Sequence, residues 1–257
     1  MKTNIIFLLA FSIVFAAEAQ DYKASVFGCR SDGVTNNTGS IQSAIDIISE
    51  RGGGELHFYV GRYLTGTVWL KNNVTIVLHE GATLVGVPSI YDYSGPTDAP
   101  KAIIVAEGQK NIGVVGSIAN RMDTEVVGKG IIQGQGAATR KSIEAQIAKG
   151  YLKEDIGQAA PSIVSFSGCT DVKVTGLVIQ SPANDVFVFR NCTNVSASRH
   201  IIESQEVADC NGIVFSGCNN IAVADNFFTL HTGKPIKQGA GNKNVKTSGN
   251  KTKAGLL

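Results

Sequence analysis

The chain has 257 residues, 43% of them hydrophobic and only 17% charged, with a net charge of +2. That length and apolar share can bury a sizeable core and suit one solenoid domain as well as two small ones. The small net charge and the dispersed Lys and Arg argue against a nucleic-acid partner.

The first nineteen residues read as a separate unit. Lys2 gives a positive start, Ile5 to Ala17 is apolar apart from Ser12, and Ala17-Glu18-Ala19 precedes Gln20. This is the pattern of a secretory signal peptide over residues 1–19, with an apolar core too short to span a bilayer. No cysteine directly follows the cleavage point, which argues against a lipid anchor there. The mature protein, residues 20–257, is expected to start near Gln20 and to be secreted or periplasmic, with no transmembrane segment.

Next come Asn36-Asn37-Thr38 and then Ile41, Ala44, Ile45 and Ile48, ending at Gly52-Gly53-Gly54. The spacing predicts an N-capped amphipathic helix that covers the first coil of a solenoid. A second helix is predicted over 138–152, with Ile143, Ile147 and Tyr151 on one face and Ala148 and Leu152 beside them. It reads as an excursion beside the main body, before the chain returns at Pro161.

From residue 163 a phrase repeats. Phe166-Ser167-Gly168-Cys169-Thr170-Asp171-Val172, Phe189-Arg190-Asn191-Cys192-Thr193-Asn194-Val195 and Phe215-Ser216-Gly217-Cys218-Asn219-Asn220-Ile221 are close copies. A degenerate copy ends at Asn244-Val245, and weaker ones lie upstream at Asn73-Val74 and Asn111-Ile112. The turn residue recurs at 171, 194, 220 and 244, in steps of 23, 26 and 24 residues. Short β-branched and aromatic runs at such a period predict a β-solenoid, in which each coil buries its apolar face on the next. Asn and Asp suit the corner because they tolerate the left-handed backbone region. The register places Val172, Val195, Ile221 and Val245 in one inward column and Phe189 in the core, whereas replacing Lys129 is expected to cost little. Five cysteines, three at equivalent positions, argue against a disulfide framework. Cys169, Cys192 and Cys218 are read as an inward ladder, while Cys29 and Cys210 have no assigned place.

Several phrases resemble a known family. Phe27-Gly28-Cys29-Arg30-Ser31-Asp32-Gly33-Val34-Thr35-Asn36-Asn37-Thr38, Gly61-Arg62-Tyr63-Leu64-Thr65-Gly66 and Leu70-Lys71-Asn72-Asn73-Val74 are similar to the opening segment of pectin-degrading parallel β-helices. Gly128-Lys129-Gly130-Ile131-Ile132-Gln133-Gly134-Gln135-Gly136, Cys169 to Leu177 and Gln180-Ser181-Pro182 extend the likeness. The whole, over most of residues 25–237, resembles the polygalacturonases of glycoside hydrolase family 28. The resemblance implies an all-β, right-handed single-stranded parallel β-helix with an N-terminal capping helix. It also implies a monomer, an acidic polysaccharide or oligosaccharide as partner, and no metal or cofactor. Full-length relatives continue beyond Leu257, so a fragment and a short protein read alike.

The chemistry departs from the family pattern. Inversion needs one carboxylic acid for the leaving oxygen and a carboxylate to activate water. The family's N-T-D-G phrase falls on Asp209-Cys210-Asn211-Gly212, so Asn211 stands where an Asp is expected. The next coil's Asp pair falls on Thr232-Gly233 or, slid by one residue, on His231-Thr232. Asp209 is a candidate relocated acid or base, and Asn211 and His231 mark matching positions without the family Asp. Asn184, Asp185, Lys234 and Lys237 are candidate substrate-binding residues; His200, after Arg199 in a turn, is given no role. Three functions follow: a polygalacturonase-like hydrolase, a non-catalytic glycan-binding or structural solenoid, or a lyase with Lys234, Lys237 or Arg199 as base. No acidic cluster with calcium-ligand spacing supports the lyase.

Overall fold

A computed structural model of the chain describes residues 20–116 and 130–257. The leader-like residues 1–19, together with Gly128 and Lys129, lie outside the described residues.

The strands form three sheets of eight, nine and six strands, and each full coil gives one strand to each. Ser162–Ser167, Thr170–Thr175 and Val178–Gln180 make one such coil, repeated by Phe187–Arg190, Thr193–Ser198 and Ile201–Ser204. The strands named here pair in parallel with their counterparts one coil away. Lys251–Thr252, the last coil's strand in the second sheet, pairs in parallel with Phe227–Leu230 and antiparallel with Gly255–Leu256. Crossovers between parallel strands are right-handed, and the chain is a right-handed parallel β-helix.

The corner residues behave as their chemistry predicts. Asn73, Asn111, Asp171, Asn194, Asn220 and Asn244 all have φ between 52° and 62°. That backbone region costs most L-residues roughly 1–2 kcal/mol, and side-chain bonds between coils offset it. Asn194 Nδ2 donates to Asp171 Oδ1 at 2.8 Å, and Asn220 Nδ2 to Asn194 Oδ1 at 2.7 Å. Immediately after this corner the aliphatic column forms as expected, Val172 pairing Val195, Val195 pairing Ile221 and Ile221 pairing Val245. Ile112 extends it one coil further. A second column stacks Phe166, Phe189 and Phe215, all fully buried.

A second corner lies between the first and second sheets. Gly176, Arg199, Asp225 and Gly249 have positive φ, and each precedes a buried residue: Leu177, His200, Asn226 and Asn250. Asn226 Nδ2 donates to Ala197 O and Asn250 Nδ2 to Val223 O, at 3.2 and 2.9 Å. His200 takes the same place: its Nε2 lies 3.0 Å from Val174 O, and its Nδ1 lies 3.2 Å from the Leu177 N–H. An N–H donating to Nδ1 puts the ring proton on Nε2, so His200 is a core residue and not a turn residue without a role.

Helix α1, Thr38–Glu50, buries Ile41, Ala44, Ile45 and Ile48 in the main core. Asn36 Oδ1 accepts the Thr38 N–H, while Asn37 turns inward to bond Arg30 and Thr35. Helix α2 spans Gly136–Ala148, and with the short helix α3, Ile156–Ala159, it makes a satellite cluster. Ile143 is fully buried there against Ile90 and Ala183, but Tyr151 lies beyond the helix and is 70% exposed.

All five cysteines are free and buried. Cys169, Cys192 and Cys218 stack as a ladder, with Cys192 N–H donating to Cys218 Sγ at 3.3 Å. Burial pushes the Cys29 and Cys210 thiols up to about 11. Because all five side chains are buried away from solvent, a disulfide-exchange reagent at pH 8 should leave the folded protein unlabelled and should count five thiols after denaturation. Fast labelling of the native protein would contradict the inward placement.

Candidate functional site

The third sheet carries the candidate site on its outer face. Phe187 and Phe189 point inward, so Val188 and Arg190 face out by strand alternation. An open groove of about 550 Å³ lies here between residues 97–100 and helix α3, and Ser162, Asn184, Asp185 and Arg190 line it. Its walls are tied to the sheet. Ser167 Oγ and Asn191 Nδ2 donate to the Asp98 carboxylate at 2.5 and 3.1 Å, and Arg190 donates to the Asp98 carbonyl. On the other side, Asn184 Nδ2 donates to Gly157 O and Ala160 O at 2.7 and 2.9 Å, which holds α3 in place.

At the start of the sheet's strands the polar residues form a ladder. Phe187 pairs Ile213, and Ile213 pairs Ile236, so Asp185, Asn211 and Lys234 occupy equivalent positions two residues earlier. Asp185 Oδ1 accepts from both Asn211 N and Asn211 Nδ2, at 2.9 and 2.6 Å. Asn211 Oδ1 in turn accepts the Lys234 N–H at 3.0 Å. Both ends of the buried Asn211 amide are thus used inside the ladder. Asp185 is half-buried, and its Oδ2 makes no hydrogen bond among the described residues.

The register brings the remaining candidates to separate places. Asp209 is exposed, with a φ of 60°, and is bonded reciprocally to Thr232: its N–H donates to Thr232 Oγ1 at 2.8 Å, and Thr232 Oγ1 donates to its carboxylate at 3.1 Å. At φ of 60° it does not continue an extended strand, so it does not share one strand face with Asn211. The residue facing Asn211 across the coils is Lys234, rather than His231, Thr232 or Gly233. His231 is exposed and its N–H donates to Ser204 O at 2.8 Å. Lys234 and Lys237 are exposed and line none of the groove around Asp185; with strands ~4.8 Å apart, Lys234 stands roughly 10 Å from Asp185 along the sheet. Arg199 sits on the second corner, where its guanidinium reaches Thr175 Oγ1.

Sequence reasoning missed Asp98 and Arg190. Asp98 lies in an irregular loop and meets Asn191 across 93 residues, which no local pattern encodes. Arg190 had a signal: it ends an alternating run as an outward residue before the corner. A further acidic pair, Glu203 and Glu206, lines a second groove with Gln133 and Gln180 beside the second sheet, away from this face.

The glycosyl hydrolases family 28 model matches residues 97–255. A candidate glycosyl hydrolase from Parabacteroides merdae is 41% identical, with a TM-score of 0.81 over 90% of this chain and 97% of its own. The exo-poly-alpha-D-galacturonosidase of Dickeya chrysanthemi is 27% identical over 79% of this chain. The family 28 exopolygalacturonase of Yersinia enterocolitica shares the fold, with a TM-score of 0.72 at 23% identity over 92% of this chain. The chain spans 39% of the Dickeya protein's length and 50% of the Yersinia chain.

Proposed function

Because the chain belongs to glycosyl hydrolase family 28, we propose that its third-sheet groove takes an acidic, pectin-like polysaccharide and binds it with negligible hydrolysis. In this reading the protein works outside the cytoplasm, as the leader pattern of residues 1–19 suggests, and acts as a monomer. The observation that carries it is the ladder at the expected catalytic positions. Asn211 has both ends of its amide bonded, and its neighbour one coil on is Lys234. An amide neither gives nor takes a proton, and an ammonium group does not activate water as a carboxylate does. Lys234, Lys237 and Arg190 supply positive charge for uronate groups along the same face.

The test is incubation with polygalacturonan, scored for new reducing ends and for ultraviolet-absorbing unsaturated ends, alongside calorimetric binding of oligogalacturonides. Neither product should rise above background, because each lost acid–base group removes roughly 10²–10⁴-fold. Asn211→Asp alone should not restore turnover, since Lys234 still occupies the next coil. Binding should weaken with added salt and in Arg190→Ala and Lys234→Ala. Robust hydrolysis that vanishes in Asp185→Asn or Asp209→Asn would identify a relocated acid or base and overturn the proposal. Unsaturated product would make the protein a lyase, and absence of both binding and turnover would remove the groove as a glycan site.

A further inference from the structure

We propose that Asp21, Glu55 and His57 form a binding site for a divalent first-row cation, of which zinc fits the ligands best. The site lies on the outer face of the first sheet, at the N-terminal end of the solenoid. Asp21 pairs Glu55, and Lys23 pairs His57, across the first two strands of that sheet. Leu56 and Phe58 point into the core, so Glu55 and His57 project outward from alternate positions. One ligand atom from each of the three residues lies within 4.8 Å of the others.

His57 indicates an ion rather than an incidental acidic patch. Its side chain is only 9% exposed, and its Nε2 points toward the two carboxylates, 3.2 Å from Asp21 Oδ1 and 3.4 Å from Glu55 Oε2. Despite those distances, Nε2 makes no hydrogen bond among the described residues. The oxygens flank the ring nitrogen without accepting from it, an arrangement suited to a shared central atom. Zinc bonds of about 2.0–2.1 Å in a tetrahedron set neighbouring ligand atoms about 3.3–3.4 Å apart, which matches both separations. An imidazolium between two carboxylates is the competing arrangement, and it would donate its Nε2 proton to one of them.

The other ring nitrogen supports the same assignment. His57 Nδ1 lies 2.8 Å from His79 Nε2. With a cation on Nε2, the single ring proton sits on Nδ1 and is donated to His79, the outer-shell bond that fixes a metal-ligating histidine. Tyr59 stacks on the His79 ring at 4.5 Å and nearly parallel, which holds that partner still. The Asp21 and Glu55 side chains are 75% and 39% exposed, so an ion can enter from solvent and keep water as a further ligand. A cation here would fasten the edge strand Asp21–Lys23 to Gly54–Phe58.

Titration of the purified, chelator-treated protein with zinc chloride, and separately with cobalt(II) chloride read by its visible absorption, tests the proposal. We expect one ion bound per chain, a rise in melting temperature with zinc and slower amide exchange at residues 21–23. Calcium chloride should produce neither effect, because a neutral imidazole is a poor ligand for it. Asp21→Asn and Glu55→Gln should each weaken zinc binding at least about tenfold, while leaving the metal-free melting temperature nearly unchanged. His57→Gln should abolish the cobalt spectrum; if that variant does not fold, the two carboxylate variants decide. No saturable binding, or wild-type affinity in both carboxylate variants, would overturn the proposal. Glycan binding plays no part in these readouts.

Discussion

Phe189→Ala should lower stability by about 3–5 kcal/mol, the range for deleting a fully buried aromatic side chain. Phe189 is fully buried and sits in the middle of a column, paired with Phe166 on one side and Phe215 on the other. Its ring lies 6.1 Å from that of Phe166. The strands above and below are held at hydrogen-bonding distance, ~4.8 Å apart, so they cannot close over the space the ring leaves. The exposed Lys173 is the comparison: Lys173→Ala should change stability by no more than about 0.5 kcal/mol. Urea midpoints at matched slopes are the measurement. Equal shifts for the two variants would mean that the column is not the core of this solenoid.

His200→Leu should cost about 2–4 kcal/mol, the range for breaking a buried hydrogen-bond network, although it replaces a polar residue by an apolar one of similar bulk. The side chain is 1% exposed and bridges Val174 O to the Leu177 N–H. Leucine leaves that buried N–H without its acceptor, at a cost of about 1–3 kcal/mol, and leaves the Val174 carbonyl without the donor His200 supplies. His200→Asn should be the milder change, because Asn226 and Asn250 fill the same corner in the next two coils. Thermal melts of the two variants decide it. If leucine were tolerated and asparagine were not, bulk rather than the bridging bonds would be the property that matters.

These two residues also mark how far the sequence could be read. The first corner was legible because one residue type serves it repeatedly: Asn or Asp at each of six positions, all in the left-handed region. The Phe and aliphatic columns followed from that register. The second corner was hidden because Gly, Arg and Asp all take its positive φ and because His and Asn share one bonding role. Of the candidate site, the substitution at Asn211 was readable as a departure from a phrase. The partner of Asn211 was not, since it depends on which residues of successive coils pair, and the loop between them differs in length. Helix α2 was seen through Ile143, but Tyr151 continued its spacing without continuing the helix, because the chain turns at Gly150 with φ of 74°.

The two corners stand at a fixed interval. Asp171 and Gly176, Asn194 and Arg199, Asn220 and Asp225, and Asn244 and Gly249 are each five residues apart, and every one of these residues has positive φ. The whole coil nevertheless varies between 23 and 26 residues. The first sheet therefore works as the ruler of the fold, and all length variation among these coils falls between the second sheet and the next first corner. A single residue inserted between Asn194 and Arg199 would turn the inward column outward through the rest of that strand. The same insertion between Gln205 and Glu206, both exposed, would fall outside every strand. Insertions and deletions outside the first sheet can thus reshape the surface of the solenoid while its spine stays in register.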